Sequence, residues 1–372
     1  MSVLPSSARG EGRPGRRPML AWVLLVAISV ATACAGFRPR PLGEVPFRDR
    51  AVTEDRDDLR VTVAVPSAEE TRALFDAKLY KKKIQPVWVE IENRGDDPVW
   101  IFPIAIDRDY FPPLEVAWKS HRTCAKKTNR RIDAYFDAIS LRWDVPAGST
   151  ASGFVFVNRD PGTKHVPVEV LRDDGRHRFD FVVPVPGLRA DHSAVDFFGL
   201  YAPDEFVDLA SEDDLRRWVA ELPCCTSNAK GTRTGDPLNF VLVAGDGVFG
   251  AAFTRAGWDE TAAMTGGSMM KTAGAALFGK TYRTAPISPL YVFGRPQDIG
   301  LQKGRWNIHQ RNHLRLWLAP ARYRGENVWV GQISRDIGSR LTTKSPTLTT
   351  HKIDPGVDET RDFLVLDLSL IH

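Results

Sequence analysis

The chain has 372 residues, long enough for two cores of about 100–200 residues each. Its 50 basic and 46 acidic residues give a net charge of +4, but Arg9, Arg13, Arg16 and Arg17 stand against the single acid Glu11 within the first 33 residues. The remainder is close to neutral, 46 basic against 45 acidic residues, which excludes a broadly basic nucleic-acid-binding surface.

The Arg-rich start runs into an apolar stretch from Met19 to Ala31. This is shorter than the roughly 20 residues a spanning helix needs, so residues 1–33 read as a secretory signal peptide. The stretch closes in Ala31-Thr32-Ala33-Cys34, which resembles a bacterial lipobox with Cys34 as the lipidated mature N-terminus. Ala31 stands where that motif usually has Leu, which leaves cleavage at the small-x-small site, or an uncleaved anchor, as alternatives. A lipidated Cys34 predicts a lipoprotein of the bacterial cell envelope, held at the membrane by its lipid and facing the periplasm. Residues 34–59, rich in Pro and charge, read as a tether. An oxidising compartment permits a disulfide. Neighbouring cysteines rarely join because the ring is strained, so Cys124 with Cys224 or Cys225 is the expected bond, against three buried free thiols as the alternative. The cysteine spacing is not that of a zinc site.

From 60 to 186 the chain reads as an all-β domain. Short alternating or apolar runs at 61–65, 85–93, 98–103, 151–157, 166–171 and 177–185 are separated by turn clusters such as NRGDDP and PAGS. That spacing predicts a β-sandwich of immunoglobulin-like kind. Two helical insertions interrupt it, one opened by a Ser67–Glu70 capping box and one at about 130–141. Trp88, Trp100 and Trp118 read as core aromatics rather than a carbohydrate platform. The KKK tract at 81–83 reads as a solvated turn.

Residues 187–236 read as a connecting helix and loop. Leu215, Trp218, Val219 and Leu222 fall at i, i+3, i+4 and i+7 behind Ser211, which predicts an amphipathic helix ending at Pro223. Two nucleotide-type motifs then occur and are rejected. Gly245 to Gly250 satisfies GxGxxG but lacks the acidic residue about 20 positions on, and Gly274 to Thr281 satisfies GxxxxGK[ST] without a strand before it or room for a helix after it. No nucleotide and no cofactor is therefore expected.

A series of short blocks follows: NFVLVAG at 239–245, AFTRAGWDE at 252–260, PISPLYVFGRPQD at 286–298, HLRLW at 313–317, VWVG at 328–331 with Arg335 and Asp336 after it, and THKIDPGVDETRD at 350–362. In this order they resemble the LssY C-terminal domain family over about 237–367. The resemblance implies an envelope setting and lipid phosphates, since relatives are fused to DedA-type membrane domains and phosphatidic-acid-phosphatase-like domains. The residues themselves predict a helix at about 248–258, strands near 288–294, 312–318 and 326–333, and a final helix capped by Asp354 with Pro355 in its first turn. Residues 237–372 thus read as an α+β domain.

The candidate site lies here. His313, Arg315 and Trp317 alternate with Leu314, Leu316 and Leu318, the period of a strand with one apolar face and one face that is costly to bury unpartnered. The expected partners are in 350–362, so that His313, Arg315, His351 and Asp354 converge with Arg295 and Asp298 at the rim. His313, His351, Asp336 and Asp354 are the candidates for proton transfer, and Arg295, Asp298, His309, Arg315, Trp317, Asp358 and Arg361 for ligand binding. His309 and His313 have HxxxH spacing on a segment that is not helical, so no metal is expected. A binding or accessory module for an anionic lipid phosphate or glycan is the first functional expectation, and a phosphoester hydrolase the second. The bland alternative is a buried network in which Arg295, Arg315, Asp298, Asp336, Asp354 and Asp358 satisfy one another.

Overall fold

The computed structural model describes residues 36–123, 125–245, 248–265, 268, 283–304, 311–341 and 349–370. Cys34, Cys124, His309 and the 274–281 motif lie outside these, as does the side chain of His351. The architecture is a β-rich N-terminal part followed by an α+β region.

Strands β1 (Val52–Arg56), β2 (Leu59–Ala64), β3 (Ile84–Asn93), β4 (Val99–Ile101), β5 (Asp144–Val145), β6 (Ser149–Asn158), β7 (Gly162–Arg172) and β8 (Gly175–Val185) form two four-stranded antiparallel sheets. Their orders are β1-β2-β3-β6 and β5-β4-β7-β8. The period of two explains how they pack. Leu59, Val61 and Val63 on β2, Val87, Val89 and Ile91 on β3, Val166, Val168 and Val170 on β7, and Phe179, Phe181 and Val183 on β8 turn into one shared core.

The first sheet is also buried on its outer face. Helix α1 (Ala68–Phe75), entered through the Ser67–Glu70 capping box, precedes the short α2 (Pro103–Ile106), α3 (Pro113–Ser120) and α4 (Lys126–Ala138) follow it, and α1, α3 and α4 cover Ile84, Trp88, Phe154 and Phe156. The segment read as a tether belongs to this layer. Phe37, Val45 and Phe47 are buried beneath α1 and α4, and residues 52–56 pair with β2, so 36–58 is part of the fold. Burying one such Phe contributes about 2–3 kcal/mol, and these anchors are spaced too widely among charges to register as a periodic element.

The three tryptophans separate by position. Trp88 is 4% exposed under the helical layer, whereas Trp100 on the uncovered outer face of β4 is 39% exposed and Trp118 on α3 is 72% exposed, so the last two are not core aromatics.

The chain then runs through β9 (Val207–Leu209), α5 (Glu212–Ala220), β10 (Cys225–Ser227), β11 (Thr234–Pro237), β12 (Phe240–Val243), α6 (Val248–Arg255), β13 (Asp259–Glu260), β14 (Tyr291–Val292), β15 (Arg295–Pro296), β16 (Ile299–Gly304), β17 (Arg311–Tyr323), β18 (Glu326–Leu341), β19 (Thr349–Ile353) and α7 (Val357–Ser369). A seven-stranded sheet is ordered β12-β18-β17-β16-β13, with β19 on β18 and β9 running parallel to β17. Residues 187–236 are therefore built into this region rather than strung between two units: β9 extends the sheet, and Tyr201 Oη donates to Leu318 O at 2.9 Å. Leu301, Leu314, Leu316, Leu318, Trp329 and Ile333 line one face and pack with Phe253, Trp258 and Leu364. β12 pairs antiparallel with β18, which is not the parallel βαβ arrangement a GxGxxG site requires. α7 begins at Val357 with Gly356 as its cap. Asp354 instead accepts from Gly356 N in the turn before the helix.

The two parts are stitched together by Arg283, whose guanidinium reaches Asp160 Oδ1 at 2.6 Å and Asp259 Oδ1 at 2.7 Å, and by Thr163 Oγ1 donating to Glu260 Oε1 at 2.9 Å.

The adjacent cysteines pair with each other rather than, as expected, with Cys124. Cys224 and Cys225 are bonded to each other where α5 leads into β10, with their Cα atoms 3.7 Å apart, so neither bridges to Cys124. Cys225 is the first residue of β10 and pairs with Pro237 of β11, and Cys224 O accepts from Leu238 N at 2.9 Å, so the bonded pair sits at the start of that strand.

Candidate functional site

β17 is long, buried and central, and its alternation sorts its side chains onto two faces. Asn312, Leu314, Leu316 and Leu318 face one way, Arg311, His313, Arg315 and Trp317 the other. The cross-strand register fills out the second face. His313 lies between Gln302 on β16 and Ser334 on β18, and Arg315 between Gly300 and Gln332. Arg311 lies beside Gly304, and the pairing of Asn312 with Arg335 brings Asp336 next to it. Gln302, Arg311, His313, Arg315, Gln332, Ser334 and Asp336 are all buried.

The segment from 283 to 290 helps to close this face. Gln302 Nε2 donates to Ala285 O at 2.9 Å, while Arg315 Nε and Nη2 donate to Ser288 O at 3.2 and 3.1 Å. Arg315 Nη1 donates to Gln332 Oε1 at 2.8 Å and Arg311 Nη1 to Gln302 Oε1 at 2.5 Å. His313 Nε2 lies 3.1 Å from Asp336 Oδ2. Gly300 is needed opposite Arg315: a Cβ there would meet Thr261 Oγ1 and Asp191 Oδ2 well inside contact distance, so the missing side chain lets Asp191 approach this face. Asp191 is itself bonded by Thr261 Oγ1 at 2.7 Å, and burial raises its carboxyl above the usual range.

The electrostatics are dominated by buried positive charge. Burial pushes Arg311 down to about 10, against the opposing pull of Asp336. Arg315 is lowered for the same reason, with the fields of Asp236, Asp336 and Asp191 working the other way. His313 is pushed down to about 4, again by burial, with Asp336 opposing and the two arginines adding to the effect. The imidazole is therefore uncharged at neutral pH. Two N–H donors, Arg311 Nε and Gln332 Nε2, have no hydrogen-bond partner among the described residues although both side chains are buried. Buried polar groups are normally satisfied, so spare donors beside two buried guanidiniums are suited to receive an oxyanion.

The other sequence candidates fall elsewhere. Arg295 forms a two-pronged pair with Asp298, 2.9 Å on each prong, and also donates to Tyr201 Oη at 2.7 Å and Leu318 O at 2.6 Å. Asp298 Oδ2 accepts from Leu318 N at 2.7 Å. This pair locks the approach to β16 onto the far end of β17 and has its fork already filled. Trp317 is fully buried, with Nε1 3.4 Å from Arg295 O. Asp358 and Arg361 are exposed on α7 and pair with each other at 2.9 Å, and α7 packs through Leu364 on the apolar face. Asp354 N donates to Arg335 O at 2.8 Å.

The backbone of His351 pairs with Ser339, five residues along β18 from the Ser334 that pairs with His313. That is a displacement of about 16 Å along the strand. His351 is thus set along the strand from His313, because β19 pairs with the far extension of β18, while the end of the same segment reaches the edge of the site, with Ile353 paired to the Asp336 that His313 contacts. Arg311, Gln302 and Gln332 were not among the sequence candidates. Extending the period of two back from His313 finds Arg311; the glutamines had no signal short of the register.

Residues 219–371 match the family model described as LssY C-terminus. The match covers less than half of the chain and begins within α5, upstream of residue 237. The LssY C-terminus region so defined contains the whole buried polar face of β16, β17 and β18. No curated protein matches the chain.

Proposed function

We propose that the LssY C-terminus region binds an anionic group, a phosphate or carboxylate carried by an envelope lipid or glycan, on the polar face of β17. The observation that carries this reading is the pair of buried arginines, Arg311 and Arg315, with the spare donors Arg311 Nε and Gln332 Nε2 beside them. A planar guanidinium suits an oxyanion because its parallel N–H groups match two oxygens at once. The setting is the cell envelope, with the protein held at the membrane through Cys34 and the N-terminal sandwich, read as immunoglobulin-like, as the accessory part. The supporting features are the Arg-rich start, the short apolar run and the Ala-Thr-Ala-Cys ending. Calorimetric titration of the full chain with glycerol phosphate tests the binding. Arg311→Lys, which keeps the charge but loses the fork, should weaken affinity about tenfold or more, and unchanged affinity would refute the assignment.

A phosphoester hydrolase is the second reading, favoured by one specific feature. His313 is uncharged at neutral pH and 3.1 Å from Asp336, an arrangement in which a carboxylate orients an imidazole that accepts a proton. Under this reading His313→Gln abolishes turnover of a phosphoester while glycerol phosphate still binds; retained turnover would remove it.

A further inference from the structure

The helical layer of the N-terminal part presents a surface that neither core uses. On α3, Leu114 and Trp118 stand one turn apart and are 66% and 72% exposed, while Val116 and Ala117 between them are buried. The helix therefore turns a second apolar edge to solvent. Lysines ring that edge. Lys119 lies 5.4 Å from the Phe111 ring centroid and pairs with Glu115 at 2.8 Å, and Lys82 donates to Lys119 O. Lys81, Lys82 and Lys83 are exposed in the preceding turn, and Lys126 and Lys127 open α4, which packs along α3. Burial and the charge of Lys119 both push the Lys82 ammonium down, as crowding of like charges requires.

The point at which the chain enters the fold lies on the same layer. Phe37 stacks edge-on against Tyr135 of α4 at 5.3 Å, and its carbonyl accepts from Arg131 at 3.4 Å. The apolar run Met19–Ala31 ends six residues before Phe37, and Cys34 three residues before it. A chain spans at most about 3.6 Å per residue, so a lipid on Cys34 would hold Phe37 within about 11 Å of a bilayer surface.

We propose that the α3–α4 face docks on an anionic lipid surface, with Leu114 and Trp118 entering the headgroup layer and Lys81, Lys82, Lys83, Lys119, Lys126 and Lys127 meeting lipid phosphates. Aromatic residues with an apolar body and a polar N–H settle at that depth, and basic side chains near it gain from the negative surface potential. The proximity rests on the anchor read at the N-terminus, the contact on this face alone. It is independent of the buried site on β17.

The test uses the full chain on vesicles of phosphatidylglycerol or of phosphatidylcholine, each carrying brominated acyl chains that quench tryptophan. Because Trp118 is exposed, Trp118→Phe leaves the core intact. On anionic vesicles the wild type should lose a component of its emission that the Trp118→Phe protein lacks, with little loss on neutral vesicles. Replacing Lys126 and Lys127 by Ser, which removes positive charge from a helix N-terminus and so does not weaken the helix, should cut that quenching and lower partitioning about twentyfold. Equal quenching in wild type and Trp118→Phe, or equal quenching on the two lipids, would overturn the proposal, and so would unprotected amides of 113–120 in hydrogen exchange on anionic vesicles.

Discussion

His313 Nε2 lies 3.1 Å from Asp336 Oδ2 inside the sheet, on neighbouring strands and between two buried arginines. The imidazole is held at about 4, below the ordinary histidine value near 6.5, because burial outweighs the carboxylate beside it. The unfolded chain thus takes up a proton before the folded one does. Stability supplied by the neutral imidazole is intact above pH 6.5 and is lost as pH falls toward 4, by about 3 kcal/mol at pH 4. Urea denaturation of wild type and His313→Gln at pH 7 and pH 4.5 reads this directly. The wild type should lose about 2–3 kcal/mol more than the variant across that interval, and parallel losses would contradict it.

Arg295 and Asp298 form a closed pair, not a rim of the site. Asp298 is 2% exposed and bonds both Arg295 and the backbone of Leu318, so Asp298→Ala leaves a guanidinium and an amide short of an acceptor. The expected cost is about 3 kcal/mol of stability, with affinity for glycerol phosphate unchanged in the protein that remains folded. Thermal unfolding alongside calorimetric titration separates the two effects.

Phe47 is fully buried against Trp88 and Phe154, in a segment that reads as a tether from composition alone. Phe47→Ala should cost about 3–5 kcal/mol, the usual range for emptying a buried aromatic site. A flexible tether would show almost no change in the denaturation midpoint.

Cys224 and Cys225 are joined to each other. Alkylation without reduction should leave both unlabelled, and the peptide containing them should be lighter than the reduced form by the mass of two hydrogens. Recovery of a peptide cross-linked to Cys124 would contradict the pairing.

How far the sequence reached is clearest along β17. The alternation of His313, Arg315 and Trp317 with leucines located the strand and its two faces, because a period of two survives any tertiary context that buries both sides. Which residues meet across the sheet depends on register, and that is set by a two-residue turn at Arg324 and Gly325, both with positive φ, which pairs Tyr323 with Glu326. The turn, together with the bulge between Leu318 and Arg322, brings Asp336 to the site and sends His351 along the strand. Burial on the N-terminal sheets is legible for the inward rows such as Val87, Val89 and Ile91, but not for Trp100, because nothing local says that α1, α3 and α4 cover the outer face of the first sheet and that Trp100, on the outer face of the second, stays exposed.

The claim that an oxyanion sits against Arg311 and Arg315 is tested most directly at the donors that have no described partner. In the nitrogen–proton spectrum of the arginine Nε–H groups and glutamine side-chain amides, titrated with glycerol phosphate at neutral pH, the Arg311 Nε–H and Gln332 Nε2–H₂ signals should move together and saturate at one equivalent. Movement confined to exposed groups such as Arg361, with Arg311 and Gln332 unmoved, would contradict the account.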